Sequence, residues 1–251
     1  MDINTPEARQ ETLRARLERG LSLSLSATAT EFDVSIDTLR RDLKALEAQG
    51  YARCIRGGAM PVARPARPAL HRMTETAATH EALVAATLPL IEDGMVLMLD
   101  GGTTVLALAQ ALPPLPNGLI VTPAPAVALA ALAAGTPVQL LGGRLSPYGA
   151  VAVGHGAVEA ISGIASDLAC LGACGIDAAF GLGADDLDEA AVKRAMIDAA
   201  HRSVVMTTAE KLGRRARHRV APCKALGVMV SNATAQQTAP FAKTGMEIRN
   251  V

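Results

Sequence analysis

From Val96 onward the chain alternates short apolar runs with alanine-rich stretches, and few architectures satisfy that pattern. The runs Val96–Leu99, Leu119–Val121, Val138–Leu141, Asp167–Leu171, Ser203–Met206 and Leu226–Val230 have the length and composition of strands. Between them Val105–Leu112, Pro125–Ala134 and Ala190–Ala200 read as helices. Strands separated by helices imply a mostly parallel sheet covered on both faces. A helix from about Met73 to Ile91, interrupted near Pro89, is expected to precede this domain. A helix around Pro240 and a short strand at Glu247–Val251 are expected to finish it.

Aromatic residues make up only 2% of the chain and Trp is absent, so the core must be built from Ala, Leu, Val, Ile and Met. Charged residues, at 19%, fall below the usual quarter, which argues against extended disorder. A length of 251 residues suits one small and one medium domain. The cysteines Cys54, Cys170, Cys174 and Cys223 have no zinc-ligand spacing, and Cys170 and Cys174 read as small buried apolar residues. His71, His80, His155, His201 and His218 are scattered, so neither a metal nor another cofactor is expected. The first twenty residues are too charged for a secretory leader, and no uninterrupted apolar stretch reaches membrane length. A cytoplasmic protein with reduced thiols is expected.

The N-terminal part follows a different pattern. Thr5, Pro6 and Glu7 open a helix that carries Arg9, Leu13 and Leu17 along one face and ends at Gly20. A second helix is expected over about Leu25–Phe32 with Ser24 as cap, then a tight turn at Asp33-Val34. Ser35 caps a third helix over Ile36–Gln49, closed by Gly50. Residues 51–56 and the Gly57-Gly58 turn read as a two-stranded wing. On the third helix Leu39, Leu43 and Leu46 face inward, leaving Thr38, Arg40, Arg41 and Lys44 on other faces. Between Arg40 and Arg72 the basic residues also include Arg53, Arg56, Arg64, Arg67 and Arg72, against only Asp42 and Glu47. That excess suits a phosphate backbone. Ser35 and Thr38 can donate hydroxyls to phosphate or base, and Arg40 and Arg41 offer bidentate forks. Asp42 is expected to pair with an arginine and fix its aim.

The string Arg9, Leu13, Leu17, Ser35, Thr38-Leu39-Arg40-Arg41-Asp42-Leu43, Gly50 and Arg53-x-x-Arg56-Gly57-Gly58-Ala59 closely resembles the DeoR-type helix-turn-helix signature. Thr28 departs from it where that family usually has Leu. The resemblance implies DNA reading by Ser35, Thr38, Arg40, Arg41, Lys44, Arg53 and Arg56. It also implies a regulator, usually a repressor, of carbohydrate or nucleoside catabolic genes.

Farther along, Asp100-Gly101-Gly102-Thr103-Thr104 joins a strand to a helix. Backbone N–H groups at a glycine turn, two hydroxyls and a helix start together suit an anion such as phosphate. The Walker A ending is missing. Thr122, Gly142-Gly143-Arg144, Gly175 with Asp177, and Lys211 follow other strands, and ligands gather at strand carboxyl ends in open parallel sheets. Lys193 could face the site or solvent, and Arg194 is expected in solvent. About Glu75 to Asn232 resembles the C-terminal sensor domain of the same family, which is similar to ribose-5-phosphate isomerase and CoA-transferase folds. That resemblance implies a phosphorylated sugar or related effector. The family's DSGTT stands here with Gly101 for Ser, its Thr-Asn as Thr122-Pro123, and its Asp before Lys as Thr208.

The expected whole is an α+β winged helix-turn-helix over 1–60, a Pro- and Arg-rich linker over 61–74, and an α/β mostly parallel-sheet effector domain over 75–251. Expected partners are a double-stranded DNA operator, the effector, and further copies of the chain in a dimer or tetramer, with no membrane. The competing reading is a sugar-phosphate isomerase or transferase using Asp100, Asp177 and Lys211 as its acid–base set. A DNA-reading half has no use in such an enzyme, so a regulator without catalysis is expected.

Overall fold

The computed structural model describes residues 5–18, 21–61 and 80–251. The chain divides into two compact units, with residues 5–61 in the first and 80–251 in the second. Several expectations lie outside the described residues: the helix end at Gly20, the linker beyond Pro61, the helix start from Met73 to residue 79, and Arg64, Arg67, His71 and Arg72.

In the first unit α1 (Pro6–Glu18) starts where the Thr5 hydroxyl accepts the Ala8 N–H at 3.3 Å. The Ser24 hydroxyl caps α2 (Leu25–Glu31), and Ser35 caps α3 (Ile36–Ala48) by accepting the Thr38 N–H at 3.1 Å. Between α2 and α3 Asp33 adopts φ 51°, which makes the turn tight. The wing is an antiparallel pair, β2 (Ala52–Ile55) and β3 (Gly58–Pro61). A short strand β1 (Leu23–Ser24), which periodicity cannot reveal in two residues, adds to the far side of β3. Gly58 is required there, because a Cβ would come within 1.9 Å of the Leu23 carbonyl oxygen.

Leu13, Leu17, Leu23, Phe32, Leu39, Leu43 and Leu46 form the small core of this unit. Among them lies a buried ion pair, with Arg9 Nε donating to Asp42 Oδ2 at 2.6 Å and Gln10 Nε2 donating to Oδ1 at 3.0 Å. Asp42 thus pairs with an arginine as expected, but the partner is Arg9 of α1 in the core and not one of the outward arginines of α3. Asp42 lies three residues past Leu39, on the inward face of α3, and fastens α3 to α1.

The second unit is built on a seven-stranded sheet. Its strands are β4 (Val96–Leu99), β5 (Leu119–Thr122), β6 (Val138–Leu140), β9 (Ser166–Gly172), β12 (Ala200–Thr207), β14 (Val228–Ser231) and β15 (Glu247–Asn250). They run in the order β15-β14-β12-β9-β4-β5-β6, and every pairing is parallel. The helices are α4 (Glu81–Thr87), α5 (Thr103–Ala111), α6 (Pro125–Ala133), α7 (His155–Ser162), α8 (Leu187–Ala199) and α9 (Ala235–Ala242). A 3-10 turn at Leu88–Leu90 carries Pro89, where the interruption was expected. The aliphatic core runs through the sheet, with Leu97, Leu99, Cys170, Leu171, Val204 and Met206 fully buried.

The sequence pattern missed the smaller pieces. β7 (Arg144–Leu145) and β8 (Ala152–Val153) form a hairpin after β6. A second sheet of β10 (Gly175–Asp177), β11 (Gly181–Ala184) and β13 (His218–Ala221) stands apart from the main one. α7 was missed because Gly154, Gly156 and Gly163 punctuate it. From β4 the chain winds outward through β5 to β6, then returns to place β9 on the other side of β4. The order therefore reverses between β4 and β9, and in such sheets a crevice opens beyond the carboxyl ends of those two strands.

Because Asp42 and Arg9 are both shut away from water, Asp42→Ala breaks a buried ion pair and removes the carboxylate that the Arg9 guanidinium and the Gln10 amide share. We expect a loss of about 3–5 kcal/mol from the first unit, measured as helix melting at lower urea by circular dichroism.

Candidate functional site

Two surfaces carry the chemistry. On α3 the outward positions Asp37, Arg40, Arg41, Lys44 and Ala48 recur at helical spacing and are exposed, while Leu39, Asp42, Leu43 and Leu46 are buried. Arg40 pairs with Asp37, and the Ser35 and Thr38 hydroxyls lie 2.9 Å apart at the helix start. Arg53 on β2 and Arg56 at the tip of the wing are exposed in the same unit. Ile36 and Ile55, each 46% exposed, were missed by sequence reasoning and stand among these polar groups. Exposed isoleucine at the first turn of such a helix suits a thymine methyl.

In the second unit a cleft opens at the β4/β9 reversal. It is lined by Asp100 to Thr104, by Gly149 and Val151, by Gly172 to Cys174, and by Glu189, Lys193 and Lys211. α5 starts here behind Gly102, whose φ of 92° aims the turn. The first N–H groups of a helix have no acceptor within it, so those of α5 face the cleft with the Thr103 and Thr104 hydroxyls beside them. Asp100 is buried, with Oδ2 accepting the Gly172 N–H at 3.1 Å and pairing with Lys193 Nζ. Lys193 also donates to the Gly172 carbonyl at 3.1 Å. Burial, the largest single influence, pulls the Lys193 ammonium toward neutrality, but the surrounding negative groups, led by the Asp100 charge and its hydrogen bond, together outweigh it and hold the pKa above the ordinary lysine value.

Glu189 lies one turn before Lys193 on α8 and faces a loop that closes one side of the cleft. Its Oε1 accepts the Ser146 hydroxyl and, at 2.7 Å, the Gly149 N–H. Burial pushes the Glu189 carboxyl up, against the opposing pull of the Ser146 hydrogen bond and the Lys193 charge. The same loop explains Gly101. A Cβ on Gly101 would meet Val151 Cγ1 at 2.2 Å and the Gly149 oxygen at 2.9 Å, so with the loop in this place no serine fits there.

Of the expected effector residues, Asp100, Gly102, Thr103, Thr104 and Lys211 come together in the cleft, and Thr122, Gly142, Gly143, Arg144, Gly175 and Asp177 do not line it. The physical reason is topological. Thr122 ends β5, and Gly142 to Arg144 follow β6, two strand spacings or roughly 10 Å from β4. The Thr122 hydroxyl is spent on the Ala124 N–H, and Arg144 pairs in solvent with Asp188 at 2.7 Å. Gly143 packs against the Val153 backbone. Beyond Cys174 the chain enters the second sheet, where Gly175 lies against Arg214 and Asp177 accepts the Ala179 and Phe180 N–H groups in a turn. Glu189 escaped sequence reasoning altogether. Arg194 is exposed, with its guanidinium on the Arg219 and Val220 carbonyls. His155 is exposed beside Glu159, and among the described residues no cluster of His, Cys, Asp and Glu could hold a metal. No helix among them is long and apolar enough to cross a membrane.

Comparison with known proteins fits both surfaces. Residues 9–63 match the DeoR-like helix-turn-helix domain, and residues 76–233 match the DeoR C terminal sensor domain. The putative aga operon transcriptional repressor of Escherichia coli O157:H7 is 27% identical, over 96% of this chain and 92% of its own. The glycerol-3-phosphate regulon repressor of Escherichia coli K12 is 30% identical, over 77% of this chain and 78% of its own. Among solved structures, ribose 5-phosphate isomerase A of Methanocaldococcus jannaschii is similar at 16% identity and a TM-score of 0.38, over 52% of each chain.

The raised pKa of Glu189 has a defined consequence for stability. Its carboxyl keeps its proton more tightly folded than unfolded, so its contribution is full in acid and is lost as pH rises through the raised value. Glu189→Gln can keep an oxygen for both donors without the charge. We expect this variant to melt at or above the parent at neutral pH and to lose that advantage on acidification, measured by thermal melting against pH.

Proposed function

The chain belongs to the DeoR family of transcriptional regulators, and on that premise we propose that it represses carbohydrate catabolic genes. A phosphorylated sugar or closely related metabolite, bound in the cleft, releases it from a double-stranded operator. The names of the two regulators above, a repressor of an operon and a repressor of a glycerol-3-phosphate regulon, support the direction of control and the phosphorylated effector. The observation that carries the DNA half is α3, whose apolar side is packed while Arg40, Arg41 and Lys44 stand outward at helical spacing. In this reading α3 lies in the major groove, its first turn meets base edges, and Arg53 and Arg56 of the wing meet phosphates.

The cleft supports the effector half. The start of α5, the Thr103 and Thr104 hydroxyls and Lys211 supply donors and positive potential for a phosphate, while the Asp100 carboxylate is already neutralised by Lys193. That engagement also argues against catalysis. An isomerase built from Asp100, Asp177 and Lys211 needs a free carboxylate pair, and Asp177 stands outside the cleft. The protein acts in the cytoplasm as a homo-oligomer, so that paired helices grip two half-sites.

The test is a gel shift with the DNA upstream of its own coding sequence, with and without a panel of sugar phosphates. Arg40→Ala is expected to weaken operator binding roughly ten- to hundredfold and to leave the thermal upshift by the effector intact. Thr103→Ala is expected to do the reverse, binding the operator and ignoring the effector. Normal operator affinity in Arg40→Ala removes α3 from the groove, and turnover of ribose 5-phosphate by the parent chain replaces the regulator reading of the cleft with an enzyme.

A further inference from the structure

Residues 101–143 contain no Asp, Glu, Lys, Arg or His, in a chain where 19% of residues are charged. This stretch builds α5, β5, α6 and β6, one whole flank of the main sheet. Burial accounts for its inner residues but not for its outer ones. Leu129 and Leu132 on α6 are 69% and 61% exposed, and Leu140 on β6 is 46% exposed. Gln139 is exposed too, and since consecutive strand residues point to opposite faces, the end of β6 is bare on both.

β6 is also an edge strand. The Ile120 N–H donates to the Pro137 carbonyl at 2.9 Å, and the Leu141 N–H donates to the Thr122 carbonyl at 2.9 Å. Alternation along a strand therefore turns the N–H and C=O groups of Val138 and Leu140 outward, away from β5. Edge strands are usually blunted by a charge, a proline that removes an outward donor, or a covering segment. β6 carries no charge, and Pro137 turns toward β5.

We propose that this flank is where a second copy of the chain docks, β6 against β6 about a two-fold axis. A patch without charge is its own electrostatic complement, since its two copies bring no like charges together. It offers nothing to nucleic acid or to a strongly charged partner. In the antiparallel arrangement centred on Gln139, Val138 of one copy faces Leu140 of the other, and each such pair exchanges two N–H···O bonds. The two sheets become one, and Leu129, Leu132 and Leu140 leave water. This deepens the oligomeric part of the function proposed above. Its test uses neither DNA nor effector, so its failure leaves those parts standing.

The test is the mass of the full chain by light scattering at micromolar concentration. The parent is expected at no less than twice the chain mass of 25.8 kDa. Leu132→Glu and Leu140→Lys are each expected to halve it, with an unchanged circular dichroism spectrum. Leu187→Glu, at an equally exposed site on α8, is expected to leave it unchanged. In the proposed register the two Gln139 Cα atoms stand about 4.5 Å apart, within reach of a disulfide. Gln139→Cys is therefore expected to give a covalent dimer under mild oxidation that the parent, with its own cysteines, does not. A monomeric parent, or an unchanged mass in both leucine variants, overturns the proposal. If those variants fail to fold, the Gln139→Cys dimer decides alone, and its absence overturns it.

Discussion

Asp100 and Lys193 neutralise each other inside the second unit, and the rest of its site is arranged around that pair. The carboxylate comes from the end of β4, the ammonium from the middle of α8, and the Gly172 backbone at the end of β9 bonds to both. These are the three elements that border the reversal in strand order. A buried ion pair contributes little net stability, because removing two charges from water offsets most of their attraction. What it supplies is geometry. A different register of α8 on the sheet leaves two uncompensated charges, so the pair fixes α8, and with it Glu189 and the loop that Glu189 holds.

The first unit uses the same device on a smaller scale. Arg9 and Asp42 join α1 to α3 through a core of leucines that could otherwise slide past one another. Leucine against leucine tolerates repacking, but a bidentate contact from Arg9 and Gln10 onto one carboxylate does not. The orientation of the outward arginines is therefore set from the inward face. Arg40 and Arg41 follow wherever Asp42 is anchored, two residues and one residue away on the same helix.

Most of the fold was legible because its signals are local. Val96–Leu99 and Pro125–Ala133 are each uniform in character and bounded by Gly, Pro or Asp, and the strands and helices read from them match the structure to within a residue. The pieces that were missed are short or long-range: β1 is two residues whose partner lies beyond α3, and the second sheet joins the short hairpin of β10 and β11 to β13 more than thirty residues later. For the site, the sequence carries the rule that ligands sit at strand ends but not which ends adjoin. Strand order decides that, and it separates Thr103 and Lys211 from Thr122 and Arg144. Glu189 and Lys193 sit in a largely buried helix whose sequence does not mark them out, and only the closing of α8 onto the β4–β9 junction gives them a role. Gly101 is the opposite case, where a departure from the family pattern visible in the sequence acquires its cause only from Val151 across the cleft.

A net charge of zero conceals how unevenly charge is placed. The outward face of α3 and the wing is basic, Arg9 with Asp42 and Lys193 with Asp100 are paired out of water, and the flank from Gly101 to Gly143 has no charge. Each distribution admits one kind of neighbour. A basic helix face draws a phosphate backbone at long range and holds it in a salt-dependent way. A basic sensing unit would draw the same backbone without regard to sequence and blur the operator's selection. With Lys193 neutralised in the cleft and an entire flank of the sheet free of charge, those parts of the second unit add nothing to a long-range pull on a phosphate backbone, while the outward face of α3 and the wing carry a basic excess.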